Sequence, residues 1–234
     1  MSNRIRILLG GALVAVLVVG AVIVFDSDGN DQKAAPSTST SQPSTTTTTA
    51  ASTLDTSTAV WPVASSSTRY AEPVDAARGF ATDFVGIANP VLGEFRQGDT
   101  RSGEVDVQPF ANGPVTTVLV RQLSDDTWWV LGATTTNIQV TEPAALAVAT
   151  SPMPLAGTST AFEAQVNVEI REDGNTQPLG SGFVMGGGNG DFGPFQSTLT
   201  FTAPTQEFGA IIFFTVSPED GGILEASVVR IAFG

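Results

Sequence analysis

The part of the sequence richest in chemically reactive side chains is the loop GDTRSGE, residues 98–104. Its polar members lie between glycines, just before a predicted strand: Asp99, Arg101, Ser102 and Glu104. Activating Ser102 as a nucleophile requires a general base. The chain has no histidine, and its single lysine, Lys33, belongs to a distant Ser/Thr-rich stretch. We therefore expect no serine hydrolase here.

Three interpretations of this loop stay open. The first is structural, with an Asx-type turn at Asp99 and ion pairs between arginines and carboxylates. The second is a polar binding surface formed by Asp99, Arg101 and Glu104. A glycan hydrolase that uses paired carboxylates, Glu94 with Asp99 or Glu104 with Asp106, is the enzymatic alternative. It requires a separation near 5 or 9 Å, which sequence alone does not determine.

Composition excludes several function classes. With no cysteine and no histidine, the chain lacks disulfides, thiolate nucleophiles and the ligands of structural zinc. A net charge of -13 argues against nucleic acid, whose binding requires clustered Lys and Arg. The glycine-rich stretch GGGNGD lacks a following lysine, and Asp191 alone does not make a calcium site. We predict no catalytic residue, metal or cofactor.

Residues 1–25 contain a predicted membrane anchor. Residues 7–25 read ILLGGALVAVLVVGAVIVF, an uncharged run long enough to cross about 30 Å of hydrocarbon. Arg4 and Arg6 precede the run and Asp26 follows it, so the positive-inside rule places the N-terminus in the cytoplasm. A cleaved signal peptide is the alternative, but the run is long for one and no clean cleavage site follows. We predict a single-pass anchor in the cytoplasmic membrane, with the C-terminal part outside.

Residues 26–58 are rich in Ser, Thr, Pro and Ala, including the run TTTTT at residues 45–49. Such a stretch has too little apolar surface to offset the entropy of ordering. We predict a disordered linker that acts as a spacer. Its hydroxyl groups are also potential acceptors of O-linked sugars.

Residues 59–136 predict a small α+β domain, with one helix on an antiparallel sheet. The helix begins near Pro73 and ends at Gly86, with apolar side chains at three- and four-residue steps. Strands are expected at residues 103–108, 115–123 and 127–133, the last two joined as a hairpin. Trp128 and Trp129 are neighbours in one strand and must point to opposite faces. One ring is core, and the other either binds a sugar or partner or is covered by the helix or the segment near Trp61.

Residues 137–234 predict an all-β sandwich. Seven short segments separated by turn residues are strand candidates, and apolar and polar residues alternate cleanly in two of them. The sixth, GAIIFFTV, is apolar on both faces, because Ile212 and Phe214 alternate with Ile211 and Phe213. Its second face is either shielded by neighbouring structure, which includes the preceding domain, or free to dock a partner through Ile211 and Phe213.

The C-terminal part also resembles a known family, the immunoglobulin-like domain of bacterial spore germination. The resemblance lies in IQVTEPAALAVATSPMPLAGTSTAFEAQVNVEI, in GSGFVMGGGNGDFGPFQSTLTF and in FFTVSPEDGGILEASVVRIAF. It implies a small extracytoplasmic sandwich of envelope proteins without known catalytic residues. The expected function is a non-enzymatic, membrane-anchored binding or scaffold protein of the bacterial envelope. Its expected partners are a wall polymer or another envelope protein, in a context that includes sporulation or germination.

Overall fold

A computed structural model describes residues 54–234 of the chain. Its helical segments are α1 (Pro73–Gly79), a π-helical continuation (Phe80–Val85) and a 3-10 turn (Phe162–Ala164). The strands are β1 (Val91–Asp99), β2 (Ser102–Gln108), β3 (Thr116–Gln122), β4 (Trp128–Thr135), β5 (Ile138–Glu142), β6 (Ala147–Ala149), β7 (Met153–Ala161), β8 (Gln165–Glu172), β9 (Gly180–Met185), β10 (Gly187–Gly188), β11 (Gly193–Leu199), β12 (Phe208–Val216) and β13 (Ile223–Phe233).

The predicted anchor, residues 7–25, lies outside the described residues, as does the predicted linker up to residue 53. From residue 54 onward, the chain contains no helix with both the length and the apolar character needed to cross a bilayer. The last residues of the predicted linker are described, and the carbonyl oxygen of Ser57 accepts a hydrogen bond from Arg230 Nε at 2.9 Å. Ser57, which lies in the predicted linker, therefore already contacts strand β13 of the folded part.

The predicted helix is confirmed at both ends. Pro73 occupies its first turn, where a missing N–H costs nothing, and Gly86 follows the π-helical continuation with a φ of 98°. The buried side is formed by Ala76, Ala77, Phe80, Ala81 and Val85. The polar side chains of Asp75, Arg78 and Asp83 are exposed, as their helical spacing predicts.

The helix packs on an antiparallel meander formed by β1 to β4. Strands β2, β3 and β4 and the β3–β4 hairpin are confirmed. Strand β1 was not predicted, because most of its residues are exposed and its apolar residues do not alternate. Its pairing with β2 is irregular between Leu92 and Phe95 and again between Gln97 and Asp99.

Residues after 137 are mostly antiparallel β-structure, consistent with an immunoglobulin-like sandwich. One layer follows the order β13-β12-β8-β9, and the other contains β5, β7 and β11. All seven predicted strands are present, together with the short β6 and β10. A buried cluster lies between the layers, with Val166, Val168 and Ile170 of β8 on one side and Leu155 and Phe195 on the other.

The meander and the sandwich meet where β4 lies beside β13. Only one backbone pair, Ala133 with Val228, joins the two strands. A Cβ added at Gly132 would lie 2.6 Å from the carbonyl oxygen of Val228, so this close approach requires glycine. Side chains complete the junction: Thr135 N–H donates to Ser227 Oγ at 3.2 Å, and Ala226 N–H donates to Thr116 Oγ1 at 3.1 Å.

Strand β12 belongs to both hydrophobic clusters of the described chain. Ile212 packs in the cluster that includes α1, whereas Ile211 and Phe213 pack in the cluster between the sandwich layers. The domain boundary predicted at residues 136 and 137 falls between β4 and β5. Residues from both sides of that boundary contribute to the first cluster, because Ala226 and Val228 of β13 join it.

Candidate functional site

The predicted polar loop at residues 98–104 is a turn held by its own hydrogen bonds. The backbone N–H of Arg101 donates to Asp99 Oδ1 at 2.8 Å, which lowers the pKa of the Asp99 carboxyl. Arg101 donates through Nε to the carbonyl oxygen of Gln122 at 3.1 Å and contacts the carbonyl oxygen of Leu123. Its Nη2 also lies 3.0 Å from Asp126 Oδ1. The side chain of Arg101 thus ties the β1–β2 turn to the β3–β4 turn.

Glu104 lies beside this turn in an exposed ion-pair cluster centred on Arg96. The guanidinium group of Arg96 lies 3.1 Å from Glu104 and 2.5 Å from Asp106. Arg96 lowers the pKa of Asp106. The acid catalyst of a glycan hydrolase needs a raised pKa, which is opposite to the shift of Asp106. Glu94, the remaining carboxylate of the hydrolase alternative, is exposed on β1. The geometry favours the structural interpretation.

The two neighbouring tryptophans point to opposite faces of β4, and neither is a freely exposed platform. Trp129 is 0% exposed, its Nε1 donates to Thr127 Oγ1 at 2.9 Å, and Arg69 lies over its ring. Trp128 is half-buried and packs edge-on against Phe95, with 5.2 Å between the ring centroids. These positions favour the interpretation that other parts of the chain cover the tryptophan rings, not the one in which a ring binds a sugar or partner.

Ile211 and Phe213, proposed from sequence as a docking pair, are fully buried between the sandwich layers. The ring of Phe213 lies 5.9 Å from that of Phe195. The opposite face of β12 packs in the cluster that contains α1. Both apolar faces of this strand are therefore core, as the shielding interpretation expects.

The structure shows a cavity that the sequence did not predict, at one end of the sandwich. Its volume is 480 Å³, within the range of about 300–1,000 Å³ typical of small-molecule sites. The lining comes from the ends of β7, β8, β12 and β13 and from the loops beside them. Its polar side chains are Asn137, Thr160, Glu163, Gln165, Asn167, Asn189, Thr215 and Glu225. We refer to it as the end cavity.

Glu225 is the most unusual side chain that lines the end cavity, because it is a buried carboxylate at 4% exposure. Its Oε2 accepts a hydrogen bond from the Thr135 hydroxyl, and Asn137 Nδ2 lies 3.1 and 3.2 Å from its two oxygens. Thr215 Oγ1 lies 3.5 Å from Oε1. Of the described residues, none forms an ion pair with Glu225. A buried carboxylate without a positive partner is uncommon in proteins.

The rim of the end cavity combines an exposed aromatic ring with irregular backbone. Phe162 is 60% exposed. Glu163, Ala164 and Asn189 all adopt positive φ values, which are rare for residues other than glycine. The N–H of Gly190 donates to Thr160 Oγ1 at 3.0 Å and holds the loop against β7. Such strained positions concentrate at functional sites.

A second cavity of 720 Å³ lies beside the junction of β4 and β13. Its lining is mainly apolar and includes Leu131, Val140, Leu146 and Val229. Gln139, Ser227 and Arg230 also line it, but most of its surface is apolar, which distinguishes it from the end cavity. Within residues 54–234, no group of three or more acidic side chains is arranged to hold a metal ion.

One signal in the sequence does point to Glu225. In the strand ILEASVVRIAF, alternation places Glu225 and Ser227 on the same face as Ile231, which is buried between the layers. A glutamate on the inward face of a strand is unusual, because charged side chains are rarely buried without a partner. The cavity itself depends on loops from distant parts of the chain, and no local pattern predicts that.

The comparison with family models concerns this same part of the molecule. Residues 137–222 match the immunoglobulin-like domain of bacterial spore germination. The resemblance noted in the sequence is confirmed for this segment. No curated protein matches the chain, and no solved structure does. The matched segment contributes most of the end cavity, from Asn137 to Pro218, whereas Leu224 and Glu225 lie just beyond it.

Proposed function

We propose that this protein is a non-enzymatic binding module of the bacterial cell envelope, anchored in the membrane by residues 7–25. The end cavity is its binding site. The observation that carries the proposal is the buried Glu225 carboxylate in a cavity whose other polar side chains are mainly neutral amides and hydroxyls. Such a cavity recognises a polar partner by hydrogen bonds and charge. The family match supports a link to the envelope and to germination.

The carboxylates outside the end cavity support binding rather than hydrolysis. Glu104 and Asp106 share Arg96, and Asp99 accepts the N–H of Arg101, so each of the three already has a structural partner. Glycoside hydrolysis would require one carboxylate with a raised pKa to face a second across the sugar. We therefore expect wall polymer to be retained by the protein and left intact.

The test uses the full chain in detergent, incubated with insoluble wall sacculi and sedimented. We expect the protein to sediment with the sacculi and to release no soluble reducing ends. Phe162→Ala should weaken the retention by removing the exposed ring at the rim. Phe110→Ala is the matched control, because Phe110 is 54% exposed and lies outside the residues that line the end cavity. Full recovery of the protein in the supernatant would contradict the proposal, as would equal retention of both variants.

The location has its own test. Protease added to intact, wall-stripped cells should digest residues 54–234 if residues 7–25 form an anchor with the N-terminus inside. A cytoplasmic protein serves as the protected control and an exposed membrane protein as the digested one. Protection of the C-terminal part in cells whose exposed control is digested would contradict the proposed orientation.

A further inference from the structure

The end cavity has a negative electrostatic character. Two carboxylates line it, the buried Glu225 and the exposed Glu163, and none of its described lining residues is Lys or Arg. The whole chain carries a net charge of -13, which adds to the negative potential. Phosphates, carboxylates and sulfates are therefore repelled from this cavity, whereas a cation is attracted.

Glu225 also retains unused capacity to accept hydrogen bonds. A carboxylate offers about four acceptor positions. Oε2 receives the Thr135 hydroxyl and the Asn137 amide, but Oε1 has only the same Asn137 amide at 3.1 Å and Thr215 at 3.5 Å. A strong additional donor is therefore favoured at Oε1, and charge-assisted hydrogen bonds are about twice as strong as neutral ones.

The other lining groups limit what this donor can belong to. Among the described residues, no group of three or more acidic side chains is placed to hold a metal ion. The cavity instead offers amide and hydroxyl groups on Asn167, Gln165 and Thr160, with the exposed Phe162 ring at its rim. Amides and hydroxyls pair with sugar hydroxyls, and an aromatic face packs against the apolar side of a sugar ring.

We infer that the end cavity binds a saccharide with a free primary ammonium group, which pairs with Glu225 Oε1. This inference rests on the proposed function, because it names the chemistry of the polymer that the binding module recognises. The ammonium group supplies a positive charge and strong N–H donors to Oε1. The hydroxyl groups of the same saccharide bind the side-chain amides that line the cavity. An N-acetylated sugar of the same shape has no such charge and leaves Glu225 without a cation.

The test compares two trisaccharides that differ only in this group, tri-glucosamine and tri-N-acetylglucosamine. Binding to the full chain in detergent is measured by calorimetry at pH 6, where the amines are protonated. We expect tri-glucosamine to bind about tenfold more tightly or better than the acetylated form. Glu225→Gln should remove most of this difference. Glu104→Gln is the matched control, because it deletes one negative charge from the exposed cluster at Arg96.

A change in folding must be separated from a change in binding. Circular dichroism and the urea midpoint are measured for each variant, and Phe162→Ala provides a second variant whose side chain lies at the exposed rim. It should weaken binding of both trisaccharides without changing the midpoint. Equal affinity for the two trisaccharides would overturn the inference, as would no binding of either or an unchanged preference in Glu225→Gln. If sacculi are still retained in that case, the proposed function stands and only the ammonium specificity fails.

Discussion

Two regions of this protein hold carboxylates in opposite ways. On β1 and β2, Asp99, Glu104 and Asp106 each have an arginine side chain or a backbone N–H as a partner and remain accessible to water. At the end of the sandwich, Glu225 is buried with neutral donors only. A stretch of sequence with many charged residues indicates a solvated surface. A single charged residue within an apolar strand indicates a buried charge, which is less common.

The largest effect should come from a third arrangement, a buried charge with an opposite charge beside it. Arg230 is buried, and its guanidinium group pairs with Asp173 and donates to the carbonyl oxygen of Ser57. Arg230→Met should lower the free energy of unfolding by about 3 kcal/mol, because the Asp173 carboxylate and the Ser57 carbonyl oxygen both lose a charged donor. Urea denaturation of the parent protein and the variant measures this difference in the free energy of unfolding. Arg78→Met on the exposed helix face is the control, and an equal loss there would show that burial does not matter.

Glu225→Ala should have the next largest effect. The change leaves the Thr135 hydroxyl and the Asn137 amide without their acceptor, at a cost of about 2 kcal/mol. Glu225→Gln should cost less, because its amide oxygen still accepts. The unfolding midpoints in urea of the two variants give this order. A more stable Glu225→Ala protein would mean that the buried charge destabilises the fold despite its donors.

Glu172 should show the pH dependence of a carboxylate that is held by N–H groups. The N–H of Thr205 donates to it at 2.6 Å and that of Gln206 at 3.1 Å, and the Thr205 contact is the main cause of its lowered pKa. Its stabilisation is therefore complete above pH 4.5, its ordinary pKa, and is lost as the pH falls through the lower folded value. Glu172→Gln should cost about 1 kcal/mol at pH 7 and progressively less in acid. Urea titrations from pH 7 to pH 3 test the prediction, and a constant difference would contradict it.

Arg96→Ala should have the smallest effect on stability. The pairs that it makes with Glu104 and Asp106 are exposed, and water and salt screen them. The urea midpoint should hardly move, whereas the pKa of Asp106 should rise towards its ordinary value. Side-chain carboxyl NMR shifts followed against pH measure this rise. An unchanged Asp106 pKa would show that another group lowers it.

Sequence reasoning predicted the regular elements well and the cavity poorly. The helix from Pro73 and the seven strands after residue 137 follow from the spacing of apolar residues, which burial imposes locally. Strand β1 was not predicted, because an exposed edge strand need not alternate apolar and polar residues. The end cavity was not predicted, because its lining residues Asn137, Asn189 and Glu225 are far apart in the sequence. Only the tertiary fold brings them together.

The last strand, β13, lies at the centre of the fold but outside the segment that matches the family model. The family match ends at residue 222, and β13 begins at Ile223. This strand lies between β4 and β12, and it carries both Glu225 and Arg230. A gene fragment that encodes only the matched residues would therefore lack a central strand, the buried Arg230 and the buried acidic residue of the cavity. In this chain, the folding unit around the end cavity therefore extends beyond residues 137–222.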